Sequence, residues 1–317
     1  MVYFVFYVIC FGEALLSLTS RLSPLKYRSG EKYLHSGQGF VHSSRKSLIS
    51  DIDAGGSLLE ITSLTVNEIR QMVTDPGGPD DRLLRAMEQD GRAGVKQLYL
   101  QFEKKRSKYL QEMDRLSRLF RHEESLLERG IFPVAGVDEA GRGPLAGPVL
   151  AAAVILPPGA RIYGLNDSKQ LTPAKRAALA AEIKKLSQTW AIGVSTVNEI
   201  NLINIHQASL LAMRRAVAGL RETPAHILVD GRGAVGSGIA ETAVVGGDGL
   251  CACIAAASIL AKVARDSLME LCHHLYPEYN FDRHKGYGTA EHLELLRRYG
   301  SCPLHRSEFA PVKYLIR

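Results

Sequence analysis

The rhythm of hydrophobic positions changes near residue 131. Before it, apolar residues recur at helical spacing. Thr65-Val-Asn-Glu68 has the form of a capping box, with Leu64 and Ile69 where a hydrophobic staple sits. Pro76-Gly-Gly-Pro79 stops that helix. A second helix is predicted over about 80–89 and a longer one over about 93–128, where Tyr109, Met113, Leu116 and Phe120 share a face and Gly130 fits a C-terminal cap. After residue 131, short β-type runs alternate with helical stretches. Strands are predicted at 133–137, 149–156, 189–196, 225–230 and 242–246. Helices are predicted at 173–187, with Thr172 as cap and Pro173 in the first turn, and at about 204–221, 252–274 and 290–299. The third of these is rich in Ala and Ser, so its backbone can press against a sheet. The first two strands, joined through a glycine turn, form a hairpin or a bent antiparallel pair; later strands follow helices, as parallel strands do. The expected fold is α/β: a mixed sheet flanked by helices, behind an N-terminal helical extension. This divides the chain into 1–57, an extension at 58–130 and a main domain at 131–317.

Residues 1–57 show no sustained period, and Ser, Gly, Arg and Lys dominate 17–57. They are expected to be unstructured or to lie upstream of the true start. Met1 to Phe11 is almost wholly apolar, but Gly12 and Glu13 interrupt it, well short of the ~20 residues a membrane span needs. No positive charge precedes it, as a secretory signal requires, which leaves a weak signal or anchor as the third reading. At 317 residues, 46% hydrophobic and 23% charged, the chain has the composition of a soluble globular protein. Its net charge of +6 permits a polyanionic partner without demanding one. Five cysteines, with Cys251 and Cys253 only two apart, give neither a zinc motif nor a disulfide framework; reduced thiols in a cytoplasmic protein are expected.

Three acidic positions stand where β-type runs stop: Asp138-Glu139, Asp230 before Gly231, and Asp248 after Gly246-Gly247. A lone Asp before Gly is ordinarily a turn residue or a helix cap. Together, strand ends can bring these acids to one edge of a sheet, where they repel one another unless a cation neutralises them. With no Cys or His in the set, the cation should be hard, Mg²⁺ or Mn²⁺, as one ion or two; a pair is the arrangement for phosphodiester cleavage. Beside the first pair, Gly141 and Gly143 let backbone approach a ligand, and Arg142 between them suits phosphate. A series of cations from Lys104 to Arg121 marks either a solvated helix face or a basic lid over nucleic acid.

The run Asp138-Glu-Ala-Gly-Arg-Gly-Pro-Leu-Ala-Gly-Pro148 resembles the signature of ribonuclease HII, the bacterial type 2 ribonuclease H. The likeness continues through Gly164-Leu-Asn-Asp-Ser-Lys169, Leu228-Val-Asp-Gly231, Gly247-Asp248, Ile254 to Asp266, His284-Lys-Gly-Tyr-Gly-Thr289 and His305 to Val312. It implies a ribonuclease H-like fold with a five-stranded mixed sheet. It also implies a metal-dependent endoribonuclease that cuts RNA in RNA–DNA hybrids, and cuts 5′ to single ribonucleotides in duplex DNA, leaving 3′-hydroxyl and 5′-phosphate ends. On this likeness Asp138, Glu139, Asp230 and Asp248 are the metal-binding catalytic acids. Gly141, Arg142 and Gly143 form the ribose-sensing loop, and Tyr287 stacks on the deoxyribose that follows. Lys169 is a candidate phosphate contact, and Lys262 and Arg265 are candidates to neutralise carboxylate or phosphate. Asp266 reads as a helix-surface salt bridge, and His284, His305 and Arg306 as structural or phosphate-contacting. A monomer with no membrane partner is expected. The competing readings are a ribonuclease HIII-like hybrid nuclease, which has Gly-Thr-Gly in place of Gly141-Arg142-Gly143, and a non-catalytic hybrid-binding module. The second gains nothing from clustered negative charge facing phosphates.

Overall fold

The computed structural model describes residues 61–75 and 78–315. The expectations for 1–57 and for a stop at Pro76-Gly77 lie outside the described residues.

Up to Gln111 the described chain forms one compact unit. Helices α1 (Val66–Thr74) and α2 (Asp81–Gln89) and the first part of α3 (Ala93–Leu119) share a core of Ile61, Ile69, Leu83, Ala86, Met87 and Val95. Both arms of the Thr65–Glu68 capping box are made. Asp80 caps α2 by accepting from the Leu83 N–H. Arg92 pairs with buried Asp90 and donates to the carbonyls of Ile61 and Leu64, closing the unit on itself. The single long helix expected at 93–128 is instead two, α3 and α4 (Arg121–Glu128). Phe120 departs from helical geometry between them, at φ −89° and ψ 0°.

From Glu112 onward the chain forms the second unit. Its sheet has the order β3-β2-β1-β4-β5, from β1 (Val134–Ala140), β2 (Val149–Ile155), β3 (Thr189–Ser195), β4 (His226–Asp230) and β5 (Glu241–Val244). β1 and β2 are antiparallel, and β1, β4 and β5 run parallel. β3 follows the helix α5 (Pro173–Leu186), yet it pairs antiparallel with β2, against the parallel expectation. β1 also outruns the expected strand. It continues through Asp138, Glu139 and Ala140, because Leu150, Ala151 and Ala152 of β2 offer it a continuous partner.

Two helices sandwich the sheet. β2 alternates: Val149, Ala151 and Ala153 join the core beneath α6 (Val197–Ala218), while Ala152 and Val154 join that beneath α7 (Ala252–Leu275). Ten consecutive residues of α7, Ala252 to Ala261, are buried. Small side chains let α7 lie close to β1: a Cβ on Gly136 would stand 2.1 Å from the backbone carbon of Cys253. Gly193 plays the same part for α6, 2.0 Å from the Ala212 carbonyl. α6 begins about two turns before the expected start, at a Thr196–Glu199 capping box, and carries a kink at Asn204 (φ 65°). Short helices α8 (Phe281–His284), α9 (Ala290–Tyr299) and α10 (Val312–Leu315) complete the fold.

Candidate active site

β1, β4 and the turn before α7 bring three acids together. Asp138, Asp230 and Asp248 each place a carboxylate oxygen within 4.8 Å of the others. Asp138 lies inside β1 rather than beyond its end, Asp230 closes β4, and Asp248 sits in the turn Gly247–Gly249. Each is fixed by its own neighbour. Asp138 accepts from the Glu139 N–H at 2.7 Å and from the Ser258 side chain on α7. Asp230 accepts from the Gly247 N–H at 2.7 Å. Asp248 accepts from the Lys169 Nζ at 2.8 Å.

Glu139 is not in that group of three. Consecutive strand residues leave opposite faces of a sheet, and the Glu139 carboxylate turns to Arg142, 3.2 Å away. It remains close enough to act on Asp138, whose carboxyl is pushed well above the usual range by burial, then by Glu139 and Asp230. Burial also raises Glu139, against the pull of Arg142. Asp230 is raised by burial, partly offset by the Gly247 N–H. Three acids held close, two of them raised and all offering oxygen alone, suit a hard divalent cation, which would relieve their repulsion.

Beside the acids, the Gly141-Arg142-Gly143 loop rests on two wholly buried arginines. Arg306 donates to the carbonyls of Gly141 (2.6 Å), Arg142 (2.8 Å) and Gly147 (2.7 Å). Arg265 donates to Ala146 and Pro148 at 3.2 and 3.3 Å. It therefore lies under the loop and does not reach the carboxylates. Burial, and then Arg265, push the Arg306 guanidinium down to about 9, so it stays charged at neutral pH. Gly141 has no room for a side chain: at φ +98°, a Cβ would meet the Arg265 Nε at 2.1 Å. A Cβ on Gly143 would stand 3.9 Å from the Tyr287 ring, which is 42% exposed and has Lys262 and Arg265 each 5.8 Å from its centroid. The loop and the tyrosine thus adjoin one another across 144 residues of sequence.

Lys169, its side chain 76% exposed, reaches Asp248 and, at 3.9 Å, Asp167. Lys262 pairs with Asp266 at 2.7 Å, the helix-surface bridge expected for that acid. His284, His305 and Arg306 are buried. Sequence reasoning passed over Ser258 and His292. The only signal for Ser258 was the small-residue run it sits in, and a histidine in the first turn of α9 carries none.

This arrangement accompanies a specific sequence match. The family model for ribonuclease HII matches residues 135–312, more than half the chain, and that for the ribonuclease HII N-terminal domain matches 65–127. The chain belongs to the ribonuclease HII family. It is 55% identical over 255 residues to ribonuclease HII of Pelotomaculum thermopropionicum, covering 80% of this chain and 96% of that one. It is 45% identical over 254 residues to that of Myxococcus xanthus, covering 80% and 85%. The ribonuclease H2 structure from Pyrococcus horikoshii superposes with a TM-score of 0.51 at 27% identity, over 57% of this chain and 96% of that one. The RNase HII of an Archaeoglobus fulgidus complex with PCNA shares the fold, with a TM-score of 0.50 at 24% identity over 56% and 95%. The chain is therefore a ribonuclease H, an endonuclease hydrolysing phosphodiester bonds, and family membership makes that chemistry dependent on a divalent metal. Among the described residues, no helix is long and apolar enough to cross a membrane.

Proposed function

We propose that this enzyme cuts RNA in RNA–DNA hybrids and cuts 5′ to a single ribonucleotide in duplex DNA, leaving 3′-hydroxyl and 5′-phosphate ends. The observation that carries the reading is the juxtaposition of three acids within 4.8 Å and a glycine–arginine–glycine loop that adjoins an exposed tyrosine. Asp138, Asp230 and Asp248 would hold Mg²⁺ or Mn²⁺, with Glu139 completing the set. When bound there, a divalent cation would supply a water made nucleophilic at neutral pH and positive charge to offset the leaving oxygen. Gly141 and Gly143 bring backbone to the 2′-hydroxyl, the group that separates RNA from DNA. Arg142 and Lys169 meet phosphate, releasing Glu139 and Asp248 from their present ion pairs. Tyr287 lays its ring on the next sugar. The two buried arginines add positive charge beneath the strand and keep the loop in register. Residues 131–317 serve as the catalytic domain and 58–130 as an extension to it, in a monomer working in the cytoplasm. The four described cysteines, all unbridged, suit that compartment.

The test is a duplex carrying one ribonucleotide, incubated with purified protein and Mg²⁺ or Mn²⁺. A nick is expected, and Asp138→Asn should bind the duplex without cutting it. No cut with either metal overturns the reading, and retained cleavage by Asp138→Asn overturns the metal assignment.

A further inference from the structure

Three buried histidines lie outside the proposed chemistry. His284 and His292 stack with centroids 4.4 Å apart, and His292 meets His305 through their Nε2 atoms at 3.1 Å. Tyr279 and Phe281 pack against the same rings. Their hydrogen bonds admit one arrangement of protons. The Cys302 N–H donates to the His305 Nδ1 at 2.9 Å, so a neutral His305 carries its proton on Nε2. That proton faces the His292 Nε2, which must accept it. His292 then carries its own proton on Nδ1 and donates it to the Tyr287 carbonyl, 2.9 Å away. By the same reasoning the Gly286 N–H occupies the His284 Nδ1, and the His284 Nε2–H donates to the Tyr279 carbonyl. Burial keeps His292 and His305 neutral, each pushed down to about 4.

The chain of bonds ends on the backbone of Tyr287, and it begins beside Arg306. We infer that His305 and Arg306 are a pair of positioning residues that set the ribose-sensing loop and Tyr287 at a fixed separation. Arg306 acts directly on the loop, and His305 acts through His292. This rests on the proposed roles of the loop and of Tyr287.

The backbone around the pair has the same design. The Arg306 N–H donates to Leu145, Ala146 forms a β-bridge with His305, and the Leu145 and Ala146 N–H groups both reach the Gly286 carbonyl. The Tyr287 N–H donates to His284, and its carbonyl accepts a second bond from Thr289. The dipeptide His305-Arg306 thus stands between the two recognition elements and bonds toward each. A site that must match a ribose and the next deoxyribose at once needs that separation held closely, whereas a continuous hybrid offers many registers. Loosening the pair should therefore cost selectivity before it costs cleavage.

The readout is the ratio of cleavage rates on a duplex with one ribonucleotide and on a continuous RNA–DNA hybrid, measured on the full chain. His292→Leu removes both bonds and should lower the ratio about fivefold or more, with cleavage of the continuous hybrid within about twofold of wild type. His292→Asn keeps a donor near the Tyr287 carbonyl and should recover most of the ratio. Tyr287→Ala should lower it at least as far as His292→Leu. If Tyr287→Ala lowers the ratio and His292→Leu does not, or if Leu and Asn at 292 behave alike, the positioning inference fails while the stacking role survives. If Tyr287→Ala leaves the ratio unchanged, the stacking role fails and takes the inference with it. Imidazole ¹⁵N spectra of the wild-type chain at neutral pH supply an arm independent of any variant's folding. Protons on the His305 Nε2 and the His292 Nδ1 support the relay, and the opposite tautomer on either ring overturns it.

Discussion

Gly136→Ala changes one hydrogen into a methyl group at the closest approach of β1 to α7. The new Cβ would lie 2.1 Å from the carbon of Cys253, 2.3 Å from the Ile254 nitrogen and 2.4 Å from the Cys253 oxygen. All three are backbone atoms, so no side chain can swing aside. Carbon atoms rest at roughly 3.5–4.0 Å, so strand and helix must part by roughly 1.4 Å. Overpacking of this kind costs about 1–3 kcal/mol. At about 2–4 °C per kcal/mol for a domain of this size, the melting temperature should fall by about 2–12 °C. The effect reaches the site, because Asp138 lies two residues along β1 and Asp248 sits in the turn that leads into α7. A separation of about 1 Å between catalytic groups can cost about a hundredfold in rate. The assay is thermal unfolding with and without Mn²⁺, alongside cleavage at saturating metal. Gly91→Ala, where a Cβ meets nothing within 4 Å, is the control. A Gly136→Ala protein that melts within about 1 °C of wild type and cleaves at its rate would refute the packing argument.

Two further outcomes follow from the buried groups around the loop. Burial pushes the His292 and His305 imidazoles down to about 4 in the folded chain, against an ordinary 6.5. With the folded values depressed, the unfolded chain takes up protons first. Their contribution to stability is therefore whole above about pH 6.5 and is lost as pH falls toward 4, by about 3 kcal/mol per ring. Urea unfolding at pH 7 and pH 4.5 reads this, and His292→Asn should flatten the dependence; equal slopes for the two proteins would contradict it. Arg306→Lys keeps the charge but cannot reach the carbonyls of Gly141, Arg142 and Gly147 together. Each carbonyl left buried and unpaired costs about 1–3 kcal/mol, so calorimetry should show a clear drop in stability; a wild-type melting temperature would show that the guanidinium is dispensable.

Much of the fold was legible because its signals are local. Thr65–Glu68, Thr172-Pro173 and the apolar runs announce their elements, and all five strands fall near their expected places. What escaped depends on partners distant in sequence. β1 runs on through its two acids because β2 supplies a ladder of small residues, which nothing within β1 foretells. β3 follows a helix but pairs antiparallel with β2 at the edge of the sheet, so it runs in the same direction as β1, β4 and β5, an orientation that the helix before it does not specify. The break at Phe120 follows from burial of Leu116, Leu119 and Phe120 in the main core, which helical periodicity alone could not separate from a longer helix. The acids were visible as residues at or near the ends of apolar runs, and the structure draws Asp138, Asp230 and Asp248 together while turning Glu139 toward Arg142. The support behind them was not visible. Arg265 reads as a cation for carboxylate or phosphate and Arg306 as structural or phosphate-contacting, and nothing in the sequence marks either as wholly buried beneath the loop, since arginine is rarely buried. Only the carbonyls of a tightly folded loop make their burial tolerable.

In the proposed function, one site couples metal-dependent cutting to the sensing of a single ribose. Mapping the cut in a duplex with one embedded ribonucleotide, in Mg²⁺ or Mn²⁺, tests it most directly. One nick is expected immediately 5′ to the ribonucleotide, with 3′-hydroxyl and 5′-phosphate ends, absent in Asp138→Asn and in an all-DNA duplex. Cutting elsewhere, cutting of the all-DNA duplex, or cutting by Asp138→Asn would contradict it.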